Sequence, residues 1–354
     1  MKKKTMAFMA GTMILGTILS GCGTKEDNTQ STLSSSSEVS QAEASPSSEA
    51  AQSSALSTGY PITIETKGSD FVTVEQTYNE APDRVVTANA SSIELLYNLG
   101  LSDRIVGTIA IDNAPGDDWK ELYDSLNILG DKMTISKEVI AAAEPDVIIG
   151  RSATFAEGTF GSIPELNELG INVYAQKASD MSTDVSMQSI IDDVTALGEI
   201  FDVQDKANAY AKTLIERLNT VSEKVAVSAG DKTLNVLVMA TYKEGTFVVF
   251  GANAKLQNGM LSALNCVNVM DKGGSNLTLE NLVEANPDVI IYVTADRNAE
   301  SDAKAVESMK NEEILASVPA VANNKIIEVP YDAFMDYGVR NFDTLEELSD
   351  FLYN

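Results

Sequence analysis

Apolar residues along this chain alternate between two rhythms. Short apolar runs, as in strands covered on both faces, occupy 84–87, 104–110, 147–150, 171–174, 234–239, 246–250, 288–293 and 325–329. Residues 62–64 and 71–74 instead alternate apolar and polar, predicting a hairpin. Helical spacing fills the gaps. Ser91 and Glu94 have capping-box spacing for a helix that Gly100 stops, and Ser136 starts a short helix that Pro145 ends. Further helices are predicted over 163–169, up to about 265, just after Thr278 and over 344–352. The longest helical stretch is 185–225, with Ile190, Val194, Leu197 and Ile200, then Ala207, Tyr210, Leu214, Leu218 and Val221, and a break near Asp202.

One unit occurs twice. Glu138 is followed after six residues by Pro-Asp-Val-Ile-Ile, and Glu280 begins the same grammar 142 residues later. That spacing is too wide for a solenoid. With strand–helix alternation in each half, it predicts an α/β fold of two doubly wound parallel-sheet lobes, with a ligand cleft between them at the carboxyl ends of the strands. A long helical segment can span the two. The expected organisation is a lobe over 60–184, a connecting helical segment over 185–225 and a second lobe over 226–354.

The chain begins differently. Three lysines precede an apolar run ending Leu19-Ser20-Gly21-Cys22, too short for a membrane span. This resembles the lipobox of bacterial lipoproteins, which implies a signal peptide over 1–21 and a lipid anchor on Cys22 holding the protein to the membrane. Residues 22–59 are rich in Ser, Ala, Glu and Gln and read as a disordered tether. Its mean span as a flexible coil is roughly 30–35 Å.

Composition then removes whole classes of function. A net charge of −27 argues against a nucleic-acid partner. There is no histidine, which rules out Ser-His-Asp and Cys-His machinery and any His-ligated metal. Phosphate-cradling glycine motifs are missing from the sequence. Beside Cys22 the only cysteine is Cys266, set among Leu261, Leu264 and Val267 and expected to be buried. The chain is not expected to be an enzyme and needs no intrinsic cofactor.

The stretch Arg84-Val-Val-Thr-Ala-Asn-Ala-Ser-Ser-Ile-Glu-Leu-Leu-Tyr-Asn-Leu-Gly-Leu-Ser-Asp-Arg-Ile-Val-Gly107, both Glu-x6-Pro-Asp units and Asn323-Asn-Lys-Ile-Ile-Glu-Val-Pro330 resemble the substrate-binding lipoproteins of ABC importers for iron-siderophore complexes, haem and vitamin B12. The resemblance covers roughly 60–354. It implies two lobes joined by a long backbone helix, an extracytoplasmic place on the cell membrane and a permease partner docked by Glu138 and Glu280; a monomer is expected, though no residue pattern sets the oligomeric state. It also implies that loops after the strands line the cleft. From these loops Trp119, Arg151, Phe155, Tyr242, Arg297, Tyr331, Tyr337 and Arg340 are the candidate ligand-binding residues. Aromatics with a few arginines suit a large, flat, partly anionic metal chelate. A ferric siderophore is the favoured ligand, with a corrinoid or haem as alternatives, haem through a tyrosine axial ligand. Without histidine, a directly bound metal ion is not expected. An enzyme or a signalling lipoprotein on the same fold is the competing class.

Overall fold

The computed structural model describes residues 59–354 except 231; the leader, Cys22 and nearly all of the tether lie outside the described residues. The strands are β1 (Ile62–Lys67), β2 (Thr73–Tyr78), β3 (Val85–Thr87), β4 (Ile105–Ile109), β5 (Ile128–Gly130), β6 (Val147–Arg151), β7 (Asn172–Gln176), β8 (Leu234–Lys243), β9 (Thr246–Val249), β10 (Cys266–Asn268), β11 (Gly274–Thr278), β12 (Val289–Thr294) and β13 (Ile326–Pro330). β1 and β2 form the expected antiparallel hairpin. The first large sheet, ordered β5-β4-β3-β6-β7, is wholly parallel.

The second sheet differs from the expectation of an all-parallel sheet. Its order is β11-β9-β8-β12-β13, with β10 beside the start of β8. β9 and β11 are antiparallel, so the sheet is mixed. The cause is local: Glu244 and Gly245 both take positive φ and turn β8 straight back into β9, where a parallel neighbour would need a longer crossover. β10, β11 and the helix Ala299–Asn311 carry too few apolar residues for their patterns to stand out in the sequence.

Between the sheets lie the helices Met187–Ile200 and Gln204–Ser228, separated at Asp202, whose φ of 56° breaks the run. The longer helix is tied to the last helix, Arg340–Tyr353, by Arg217 paired with Asp343 and Glu346 and by Lys224 paired with Asp350. Alternation along the strands sorts the core. Val147, Ile149, Val236 and Val238 face a cluster shared by both sheets and the helices between them. Ile148 faces the outer cluster of the first lobe, and Leu237 and Met239 that of the second. Both faces are covered, which is why these strands read as unbroken apolar runs.

Candidate functional site

In each sheet the connections diverge at one point. β3 leads to β4 on one side while β6 leads to β7 on the other; β8 leads to β9 while β12 leads to β13. Crevices open at such points beyond the carboxyl ends of the strands. In the first lobe this places Asn89 and Arg151 together, and in the second it places Thr241 to Lys243 near Arg297.

Asn89 caps the helix Ala90–Asn98, with Ser92 completing the capping box. The Ser91/Glu94 pair expected to do this does something else. Ser91 donates its backbone N–H to Asp336 Oδ2 of the second lobe (2.9 Å), and Asn89 Nδ2 donates to Asp336 Oδ1 (2.7 Å). A carboxylate from one lobe thus sits on the N-terminus of a helix of the other, where the helix dipole favours it. Asp332 Oδ2 likewise accepts the backbone N–H groups of Asp112 (2.8 Å) and Asn113 (2.7 Å), and Asn113 Oδ1 accepts the Asp332 N–H in return (3.0 Å). Gln176 Nε2 donates to the Tyr337 carbonyl at 3.0 Å.

Charges complete this seam. Arg340 forms an ion pair with Glu94, which is 2% exposed. The contact runs from Arg340 Nε to Glu94 Oε1, and Nη2 of Arg340 has no hydrogen-bond partner among the described residues. Burial pushes the Glu94 carboxyl up to about 8; Arg340 opposes the shift, and Asp336 and Asp332 add to it. Asp332 is raised to about 6, first by burial and then by Asp336. Burial works to lower the Arg151 guanidinium, but Asp336, Tyr331 and Tyr337 outweigh it, and its value is raised. Asp112 pairs with both Lys132 and Arg297, and both cations stand 5.3 Å from the centre of the Tyr331 ring.

Of the candidate ligand-binding residues, Arg151, Tyr331, Tyr337 and Arg340 therefore meet in one seam, and Trp119 lies beneath it. The indole is 2% exposed in a small cluster with Ala90 and Ile93, with the Arg340 guanidinium 5.6 Å above its ring. Arg297 stands at the rim, 52% exposed. Tyr242 is elsewhere: it lines a groove of about 700 Å³ in the second lobe with Thr241, Lys243, Arg297, Lys304 and Glu312. Phe155 is in the outer core of the first lobe, 1% exposed, and not on the cleft wall. Its place in a loop right after β6 marked it for the cleft, but the brief helical turn Ser152–Thr154 swings the ring back under the sheet.

Glu94, Asp112, Asn113, Asp332 and Asp336 escaped the sequence reading. In a chain with 52 acidic residues a buried carboxylate carries no mark of its own. The one available signal was Glu94 on the apolar face of its helix, three residues from Ser91. Glu138 and Glu280 are exposed in the first turns of the helices Lys137–Ala142 and Leu279–Ala285. Both are lowered, Glu138 first by a hydrogen bond with the Ser136 side chain and Glu280 first by one with Thr278. The Thr278 hydroxyl donates to Glu280 Oε2 at 2.5 Å. Cys266 is buried as expected, its thiol pushed up to about 12 by burial.

The cavity left inside the seam, between Ala88, Arg151, Tyr331 and Asp336, is about 10 Å³. That is room for one water molecule.

A family model described as periplasmic binding protein matches residues 85–333. The chain belongs to that family. A similar curated relative of this periplasmic binding protein is an uncharacterized ABC transporter substrate-binding lipoprotein, YvrC, of Bacillus subtilis (strain 168), 22% identical over 99% of this chain and 98% of its own. Among solved structures, a periplasmic binding protein from Veillonella parvula DSM 2008 superposes with a TM-score of 0.71, at 25% identity over 83% of this chain and 92% of its own. An ABC-type Fe3+-hydroxamate transport system protein from Saccharomonospora viridis DSM 43017 gives 0.67, at 21% identity over 83% and 99%. The resemblance drawn from the sequence motifs holds at the level of the family.

Proposed function

We propose that this periplasmic binding protein is the substrate-binding lipoprotein of an ABC importer. It captures a ferric siderophore between its lobes and delivers it to a permease, binding and releasing without covalent chemistry. The observation carrying this reading is the convergence of Arg151, Tyr331, Tyr337 and Arg340 on a seam floored by Trp119, at the carboxyl ends of the strands. The Fe3+-hydroxamate transport protein shares the fold, and the lipoprotein relative supports anchoring through Cys22 at the extracytoplasmic face of the membrane. When the lobes part, the N–H groups of Ser91, Asp112 and Asn113 lose Asp336 and Asp332 and become available to acceptor oxygens of a chelate. Glu138 and Glu280, one in each lobe, dock a monomeric receptor onto the permease.

Haem is the weaker reading. The chain has no histidine, which leaves a tyrosine as the side chain to serve as axial ligand. The test is titration of the full chain with ferric siderophores, haem and cobalamin. Trp119, the only tryptophan, reports by fluorescence, with calorimetry as a second readout. Saturable sub-micromolar binding of a ferric siderophore is expected. Haem or cobalamin binding alone would replace the siderophore, and no binding across the set would refute the metal-chelate reading.

A further inference from the structure

The three arginines that suggested an anionic ligand are each matched by a carboxylate. Arg340 faces Asp332, Arg297 shares Asp112 with Lys132, and Arg151 faces Asp336. The balance holds over the two walls together. The first lobe carries Lys132 and Arg151 with Asp112, Glu94 being held neutral by burial; the second carries Arg297 and Arg340 with Asp332, Asp336 and, in the same turn as Arg297, Asp296. The adjoining groove repeats the pattern, with Lys243, Lys304 and Arg297 against Glu244, Glu300 and Glu312.

We infer that these carboxylates set the charge class of the ligand: the cleft takes a neutral ferric chelate, of the trihydroxamate kind, and rejects a trianionic ferric tricatecholate. This rests on the metal-chelate reading above. A trianion laid against Arg151 or Arg340 also faces Asp112, Asp332 and Asp336 and meets no net countercharge for the water it gives up. A neutral chelate has no such mismatch. Its carbonyl and hydroxamate oxygens can take the backbone N–H groups that Asp336 and Asp332 now hold. The guanidinium groups then act as hydrogen-bond donors and stacking surfaces, with their charge already compensated.

The test uses the full chain in detergent at physiological ionic strength, with Trp119 fluorescence as readout. The probes are one neutral ferric trihydroxamate and one ferric tricatecholate. The tricatecholate should bind at least ~10-fold more weakly. Asp296→Asn removes the exposed carboxylate in the same turn as Arg297. It should strengthen tricatecholate binding several-fold and leave the neutral chelate within about 2-fold. Glu300→Gln, on the wall of the adjoining groove, should move the ratio the same way and serves if the first variant misfolds. Equal or tighter binding of the tricatecholate by the wild type, or a ratio unmoved in both variants, overturns the inference while the metal-chelate reading stands. Binding of neither chelate overturns both.

Discussion

Glu94→Gln tests whether the seam holds a buried, proton-binding carboxyl. Glu94 is 2% exposed, and its pKa is raised from the ordinary 4.5 to about 8 by burial, which Arg340 only partly offsets. Unfolded, the group titrates near its ordinary value. Between the two values the folded protein keeps a proton that the unfolded chain releases, so this group's contribution to stability falls as pH rises. The slope is about 1.4 kcal/mol per pH unit. Over the window from 4.5 to about 8 the loss has a ceiling of about 5 kcal/mol. Glutamine is neutral throughout and nearly the same shape. The stability of the variant relative to wild type should therefore rise with pH across the window and flatten above it. Differential scanning calorimetry from about pH 5 to 9 reads this as a melting-temperature gap widening by about 2–4 °C per pH unit. Titrating groups that do not act on Glu94 cancel in the difference; Asp332 and Asp336 do act on it. A gap that is constant with pH would show that Glu94 is ionised in the folded protein and that the Arg340 pair, not burial, governs it.

Three further outcomes are expected. Gly338→Ala would put a Cβ 2.3 Å from that of Ser91 across the seam, costing about 1–3 kcal/mol of lobe contact; acrylamide quenching of Trp119 should increase, and unchanged quenching would show that this contact does not hold the lobes together. Asp193→Ala should lower stability by about 3–5 kcal/mol in thermal melts, because it strips the Tyr174 hydroxyl (2.6 Å) and the N–H groups of Lys177 (2.7 Å) and Ala178 (3.1 Å) of their buried acceptor; a change under about 1 kcal/mol would contradict this. Glu138→Ala combined with Glu280→Ala should abolish uptake in cells while ligand affinity in vitro is unchanged, and normal uptake by the double variant would refute permease docking through these residues.

The sequence by itself determined the elements and their class. Unbroken runs such as 147–150 and 288–293 read as strands because both faces of each sheet are covered, so every position is apolar whichever way it points. The repeat around Glu138 and Glu280 announced two similar α/β units because the short helix, the Pro-Asp turn and the strand that follows are all encoded within a dozen residues. The mixed second sheet follows from the two-residue turn at Glu244 and Gly245, too short for a parallel crossover, but the apolar run of β8 stops at 239 and did not show that the strand continues to Lys243. Arg151, Tyr331, Tyr337 and Arg340 could be nominated from loop position, and they do meet. Only the tertiary structure decided what they meet. Asp336 reaches Ser91 across 245 positions and Asp332 reaches Asp112 across 220, and nothing local to an aspartate says which distant N–H will face it. Burial and charge pairing are properties of the packed lobes, and they set Glu94, Asp112, Asp332 and Asp336 against the arginines that loop position had nominated.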